Sequence, residues 1–286
     1  MISRGPAFLL ACLILAAIAA PAIAPYPPDR LDLTHRREAP SAAHWFGTDD
    51  LGRDVFARVL FGARVSLAVG LLSAAVAGAS GIALGGAAGY AGGAIDAILM
   101  RGTDAMLAVP RLPLLMIAAS VIEPSIPLLV VMIGLAGWME TARVVRAEFL
   151  TLGTRGFVES ARAAGAGHAR LIGVHLLPNA AQALIVSLTL AVARGILLES
   201  ALSFFGVGVR PPQASWGNML YQAQATLATE PWLAFAPGLF ILLTTLSVNS
   251  VGDRLALAKP GPSFAAFAAF AFSTSRHGVP PAVSVK

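Results

Sequence analysis

The sequence predicts an all-α, polytopic membrane protein with about six transmembrane helices. Apolar residues make up 57% of the 286 positions, whereas charged residues make up 12%, about half the share that is usual in soluble domains. The apolar residues are gathered into runs close to the length of about 20 residues that a helix needs to cross a bilayer. Most of the positive charge is arginine placed between these runs, which suits membrane orientation rather than nucleic-acid binding.

Six runs are predicted to cross the membrane, and the first of them has an alternative. It follows Arg4 and ends in small residues, so a cleaved signal peptide is also consistent with it. A retained helix is favoured, because an even number of crossings leaves the arginine-rich connections on one side. The predicted spans are 8–24, 66–89, 107–121, 127–145, 180–205 and 232–251.

The connections between the spans predict the orientation of the chain. Segment 143–177 carries five arginines against two glutamates, so the positive-inside rule places it in the cytoplasm, together with both termini. The predicted divisions are a first transmembrane helix (1–25), an extracytoplasmic loop (26–62), a transmembrane core (63–258) that contains a cytoplasmic loop (148–177), and a C-terminal tail (259–286). The tail is too short and too interrupted for a seventh span and is expected to be poorly ordered or interfacial.

The second predicted span carries glycines at every fourth position: Gly81, Gly85, Gly89 and Gly93. This spacing puts them on one helix face, where small residues let two helix backbones approach closely in lipid. Ordinary helix packing is therefore favoured over a pore or hinge face.

The chain lacks the residue patterns of an enzyme. No lysine follows a glycine-rich phosphate loop, so ATP hydrolysis by that route is excluded. The five histidines are scattered, and His168 with His175 would supply only two ligands, fewer than a metal site needs. We therefore predict no catalytic residue, no metal site and no cofactor bound by this chain.

The candidates for ionisable groups in the middle of the membrane are Arg194 and Glu199 in the fifth span, with Glu140 in the fourth. Charges at that depth are expensive unless they have partners. An ion pair involving Arg194 and Glu199, within the chain or between subunits, is favoured. Alternatively, these two residues line the path of a transported solute.

Segment 159–179, "ESARAAGAGHARLIGVHLLPN", interrupts the apolar runs with helix-forming and basic residues. Gly165 and Gly167 lie in its middle, where each glycine weakens a helix by about 1 kcal/mol relative to alanine. That cost indicates a bend or the close approach of another backbone. The segment is predicted to form a short helix, a glycine turn and a second short helix, although a plain amphipathic surface helix is the alternative.

The same segment resembles the "EAA" loop of permease subunits of bacterial ABC importers. In that family the loop forms the coupling helix that docks on the ATPase subunit. The resemblance implies such a contact for six residues, although Ser160 replaces the usual alanine and His175 the usual aliphatic residue. These residues are Glu159, Ser160, Ala161, Gly165, Leu177 and Pro178.

Three further segments, 46–67, 199–220 and 237–255, resemble the peptide and nickel subfamily of these permeases, in particular its dipeptide and oligopeptide "C" subunits. The resemblance implies an importer in the bacterial cytoplasmic membrane. Its expected partners are a second permease, two ATPase subunits that hold ATP and Mg, an extracytoplasmic solute-binding protein and the lipid bilayer, with no nucleic acid. Peptides are the favoured solute and nickel chelates the alternative; an ion-coupled carrier or an ATPase-free channel is less favoured.

Four residues outside the spans have two interpretations of equal weight. Asp49, Asp50, Asp54 and Trp216 are candidates for contact with the solute-binding protein. Alternatively, they fold the loops in which they lie, because aspartate readily caps short helices.

Overall fold

The computed structural model describes residues 5–122 and 125–257. Within these ranges the chain is helical apart from turns and one isolated bridge between Thr48 and Asp54, which confirms the all-α prediction for the described part. The predicted tail 259–286 lies outside the described residues.

The first predicted span is divided into two helices, α1 (Gly5–Ile18) and α2 (Ala20–Ile23). Pro21 lies early in α2, and its missing N–H and its ring do not allow one regular helix to run through this point. With 14 residues, α1 is about 21 Å long, which is shorter than the apolar thickness of a bilayer. Ala17 packs against the hydrophobic cluster that contains Ile196 and Ile241.

Helix α3 (Val55–Ala91) has 37 residues and begins well before the predicted position 66. The Asp54 carboxylate starts it by accepting a hydrogen bond of 2.8 Å from the Ala57 N–H. Arg58, in its first turns, is buried against the carbonyl of Pro28. The last part of the predicted loop 26–62, from Val55 onward, therefore belongs to α3.

The third and fourth predicted spans each belong to a bent pair of helices. The first pair is α4 (Gly93–Ala108) and α5 (Arg111–Val121), which meet at 82° next to Pro110. The second pair is α6 (Ile126–Leu135) and α7 (Trp138–Gly153), which meet at 43°. Helix α4 was not predicted, because its charged residues break the apolar pattern. Arginines of α7 pair with two of them, Asp96 and Asp104.

The segment after α7 forms α8 (Gly156–Ala163), a turn, the short helix α9 (His168–Arg170) and a π-helical stretch, Leu171–Leu176. This stretch leads directly into α10 (Leu177–Phe204). The order of short helix, glycine turn and second helix is as predicted. The second helix, however, continues into the fifth predicted span as one run of 37 residues, His168–Phe204.

The last part of the chain contains α11 (Trp216–Ala223), a 3-10 turn (Gln224–Thr226) and α12 (Trp232–Leu257). A capping box starts α11: the Ser215 hydroxyl accepts from the N–H of Asn218, and the Asn218 amide oxygen accepts from the N–H of Ser215.

Glycines of α3 set the packing of the whole bundle. A Cβ built at Gly85 would lie 2.2 Å from the carbonyl oxygen of Ala142 in α7, so only glycine allows this approach. On another face, a Cβ at Gly195 of α10 would lie 3.1 Å from the Cα of Gly70. The packing interpretation of the glycine ladder is supported, except at Gly93, which lies beyond the end of α3.

Three helical runs in the described part are long and apolar enough to cross a membrane: α3, the joined run that ends in α10, and α12. Each bent pair can supply one further span, which gives up to five. The short apolar helix α1 occupies the place of the first predicted span.

Candidate functional site

Helix α8 is attached to the bundle through a single buried side chain. Val158 is 1% exposed and packs in a cluster with Phe149 of α7 and with Leu171 and Leu176 of the π-helical stretch. Its neighbours Glu159 and Ser160 are exposed. The helix therefore presents a polar surface away from the rest of the chain.

Gly165 ends α8 in a Schellman turn. Its φ is +80°, a left-handed conformation that glycine adopts without a steric penalty. The N–H of Ala166 donates to the carbonyl of Ala161, and the N–H of Gly165 donates to that of Arg162, which is the bond pattern of this helix end. Among the described residues, no atom lies within 4 Å of a Cβ built at Gly165. The turn alone therefore accounts for the glycine.

The predicted coupling residues divide into an exposed and an inner group. Glu159, Ser160 and Gly165 are exposed, whereas Ala161, Leu177 and Pro178 are half-buried. Ala161 and Leu177 pack against the cluster that holds Val158. Pro178 lies in the first turn of α10, where the missing N–H of proline costs no helical hydrogen bond.

A groove of about 510 Å³ with charged side chains among apolar ones runs between α7 and α10. Side chains one helical turn apart line it on both helices, so it follows the helix axes. The principal ones are Glu140, Val144 and Glu148 of α7, and Val186, Leu190 and Arg194 of α10.

Three charged side chains meet at the end of this groove that is remote from α8. Arg111 Nη2 donates to Glu140 Oε1, and Arg194 Nη1 lies 3.8 Å from the same oxygen. The expected pairing of Arg194 with Glu199 is therefore wrong, and Glu140 is the partner. The cause is geometric, because side chains five positions apart on a helix point about 140° away from each other.

The charged cluster leaves polar atoms without partners. Glu140 Oε2 is buried and accepts no hydrogen bond from the described residues, a situation that typically costs about 1–3 kcal/mol. Arg194 is 38% exposed, and no hydrogen bond joins its guanidinium to the described part of the chain. The groove therefore offers both an acceptor and donors to a molecule outside this chain.

Glu199 lies in a closed environment. It is 0% exposed, and its carboxylate accepts hydrogen bonds of 2.8 Å from the hydroxyls of Ser66 in α3 and Ser203 in α10. The Ser66 oxygen in turn accepts from the N–H of Trp216, at 3.3 Å. Glu199 thus joins α3, α10 and α11, and it does not open into the groove between α7 and α10.

Trp216 was a candidate for an external contact, but it is 0% exposed. Its indole N–H donates to the carbonyl of Val59, and its ring packs against Phe240. The structure therefore supports the alternative interpretation, in which Trp216 folds the loop, and it corrects the interpretation as a contact residue.

Two of the three aspartates also serve the fold. Asp49 is buried and accepts from Nε of Arg53 at 2.6 Å, and Asp54 caps α3 and contacts His44 at 2.9 Å. Asp50 has a side chain that is 49% exposed, so it alone among the candidates presents its carboxylate to the surroundings.

The segment that precedes α3 is stabilised by local hydrogen bonds. The Thr34 hydroxyl donates to the Asp32 carboxylate and lowers the pKa of Asp32 to about 2.

Within residues 5–122 and 125–257, no three His, Cys, Asp or Glu side chains are grouped so that they could hold a metal ion.

Sequence reasoning missed Arg111 and Ser66. Arg111 lies within the third predicted span, between Pro110 and Pro113, and these neighbours gave no sign of its partner on α7. Ser66 lies at the start of the second predicted span, where one hydroxyl carries no distinctive signal. The presence of a glutamate, Glu199, within the apolar fifth span was the single available sign that its surroundings must supply hydrogen-bond donors.

Comparison with known proteins identifies the family of this chain. Residues 81–258 match the model of the family described as "Binding-protein-dependent transport system inner membrane component". The chain belongs to this family. The match contains α7, α8 and α10, so both the groove and the coupling segment lie within it.

Several curated permeases are similar over most of their length. A peptide permease protein of Brucella suis is 43% identical over 249 residues, which cover 86% of this chain and 82% of the relative. The dipeptide transport system permease protein of Bacillus subtilis is 40% identical, with coverage of 87% and 78%. The oligopeptide transport system permease protein of the same organism is 37% identical, with coverage of 86% and 81%.

The chain is thus a multi-pass membrane permease subunit of an ABC importer. The prediction of a transport subunit of this family is confirmed, and the ion-coupled carrier and the channel lose their support. The segment with Glu159 and Gly165 lies between α7 and α10, within the residues that match the family.

Proposed function

We propose that this permease moves dipeptides or oligopeptides across the bacterial cytoplasmic membrane. The observation that carries the proposal is the identity of 37–43%, over about 86% of the chain, to permeases named for peptides, dipeptides and oligopeptides. The charged side chains in the groove between α7 and α10, Glu140, Glu148 and Arg194, are consistent with a solute that carries charge and hydrogen-bonding groups.

The proposed importer contains four further components: a second permease, two ATPase subunits and an extracytoplasmic solute-binding protein. ATP and Mg belong to the ATPase subunits, and this chain holds no cofactor. Helix α8 is the proposed docking element, because Glu159 and Ser160 are exposed while Val158 ties the helix to α7 and α10. Motion of an ATPase would thereby reach the membrane helices.

The proposed orientation places both termini and α8 in the cytoplasm. It is supported by the excess of arginine in segment 143–177. In this orientation, α11 and the segment before α3 face the outside, where Asp50 is available to the solute-binding protein.

Uptake measurements test the transport proposal. Cells with and without this chain are supplied with labelled dipeptide and labelled nickel, in separate samples depleted of ATP or of the ion gradient. ATP-dependent loss of dipeptide uptake on deletion is the expected result. Loss of nickel uptake instead would show that nickel, and not dipeptide, is the transported solute. Uptake that follows the ion gradient would contradict the ATP-driven mechanism.

Site-directed photo-crosslinking tests the docking proposal. The single cysteine, Cys12, is replaced by alanine, and a benzophenone maleimide is attached at Glu159→Cys or at the control Tyr221→Cys on α11. We expect crosslinks to an ATPase subunit from position 159 and none from position 221. The same ATPase crosslink from both positions, or from position 221 alone, would contradict the proposed docking.

A further inference from the structure

We propose that the groove between α7 and α10 binds a peptide in one orientation, with its C-terminal carboxylate on Arg194 and its N-terminal ammonium group toward Glu148. This inference rests on the proposed function as a peptide permease. It names the groups that receive the two ends of the transported molecule.

Arg194 has the properties of a carboxylate receptor. Its only ion-pair partner among the described residues is Glu140, at 3.8 Å, which is too long for a hydrogen bond. The guanidinium therefore keeps its planar set of donors for another group while it lines the groove. Such a fork matches the two oxygens of a carboxylate.

Glu140 acts as a positioning residue. Arg111 donates to its Oε1, so Glu140 is fixed between two arginines, one on α5 and one on α10. The two arginines and the one glutamate leave this end of the groove with an excess of positive charge. A carboxylate that enters the groove is attracted to this end.

The other end of the groove has the opposite charge. Glu148 lines it and has no hydrogen-bond or ion-pair partner in the described part of the chain. It lies about 12 Å along α7 from Glu140, since a helix rises about 1.5 Å per residue. Three or four extended residues span about 10–14 Å, so a short peptide can reach from one charge to the other.

The polarity of the groove sets the order of the peptide ends. Glu148 is closer to α8 than Glu140 is, because α7 runs toward that helix. The N-terminus of the peptide therefore points toward α8 and the C-terminus away from it. A solute with a single charge would use only one of the two ends.

The test uses the complete importer in proteoliposomes, with its solute-binding protein saturated by trialanine. Initial uptake, KM and ATP hydrolysis are measured for the native importer, Arg194→Gln, Arg194→Lys and Glu148→Gln. The control is Arg143→Gln, which removes an arginine of α7 that pairs with Asp104 outside the groove. Trialanine amide and N-acetyl-trialanine are compared with free trialanine for every variant.

We expect maximal trialanine uptake to fall about tenfold in Arg194→Gln, because the peptide carboxylate loses a hydrogen bond to a charged group. KM and stimulated ATP hydrolysis stay within about twofold, because KM is set by the binding protein and the helices still move. Arg194→Lys restores part of the rate, and Arg143→Gln matches the native importer. Glu148→Gln slows free trialanine and no longer distinguishes it from the N-acetyl peptide.

Three results would overturn the inference. The first is uptake by Arg194→Gln equal to that of Arg143→Gln. The second is a parallel fall of uptake and ATP hydrolysis without recovery in Arg194→Lys, which would show a structural role. The third is absence of peptide uptake by the native importer, which would also remove the proposed function. The first two leave that function intact.

Discussion

Glu199 and Arg194 lie just over one turn apart on α10, but their surroundings differ completely. Glu199 is fully buried and accepts hydrogen bonds from the hydroxyls of Ser66 and Ser203. Arg194 is partly exposed, lines a groove and has one distant partner. One helix therefore carries a charge that fastens the bundle and a charge that is available to another molecule.

The two environments imply different roles for Glu199 and Arg194. A buried ionisable group whose acceptors are filled by hydroxyls of two packed helices indicates a role in assembly of the fold. A half-exposed group with unused donors indicates a role in binding a ligand or a partner subunit. Mutations should therefore separate the two regions by the property that they change: stability around Glu199, transport around Arg194.

The largest effect is expected for Trp216→Ala, next to the Glu199 network. The change removes a fully buried ring and its hydrogen bond to Val59, and it should lower the free energy of unfolding by about 3–5 kcal/mol. Thermal unfolding of the purified importer measures it. Tyr221→Ala is the control on the same helix, because Tyr221 is largely exposed; equal losses for both variants would contradict the packing described for Trp216.

Ser66→Ala should weaken the same region by a smaller amount. Without the hydroxyl, Glu199 Oε2 loses its nearer donor and keeps only the Ser200 hydroxyl at 3.5 Å, and the N–H of Trp216 loses its acceptor. The expected cost is about 1–3 kcal/mol. Ser80→Ala, at a half-buried position of the same helix, should change little. A Ser66 variant as stable as the Ser80 variant would show that the network adds nothing to stability.

Gly165→Ala should act on α8 alone. A left-handed conformation costs an alanine about 1–2 kcal/mol, and the cost opens the last turn of α8 without unfolding the bundle. Faster hydrogen exchange at 158–164 and less uptake per ATP are expected. Gly167→Ala is the matched control, because the φ of Gly167 is −69°. Similar hydrogen exchange in both variants would show that the left-handed turn is not the reason for glycine at position 165.

The smallest effect on stability is expected for Arg194→Gln. A half-exposed arginine with one long contact contributes little, so the free energy of unfolding should change by no more than about 0.5 kcal/mol. Thermal unfolding checks this alongside Ser66→Ala. A loss as large as that of Ser66→Ala would place Arg194 among the structural charges and end the contrast between the two regions.

Uninterrupted apolar runs made much of the fold predictable. The spans that became α3, α10 and α12 were found because lipid-facing and packed positions are both apolar in a membrane bundle. Helix α4 was missed because Asp96 and Asp104 break that pattern, and their arginine partners lie far away in sequence on α7. Long-range pairs of this kind leave no periodic signal.

The turn after α8 was predictable for a related reason. Gly165 and the helix before it form a local pattern, so their turn could be derived from neighbouring residues. The partners of Arg194 and Glu199 could not, because Glu140 and Ser66 reach them from other helices. The burial of Trp216 depends equally on a distant contact with Val59.

The unbroken run from His168 to Phe204 has a mechanical consequence. Its 37 residues correspond to about 55 Å of helix. One end of this run lies next to α8, and Arg194 and Glu199 lie toward the other end. The π-helical stretch Leu171–Leu176 lies in this run, next to α8. If α8 docks on an ATPase as proposed, motion of α8 would move Arg194 and Glu199 together, because both belong to this run.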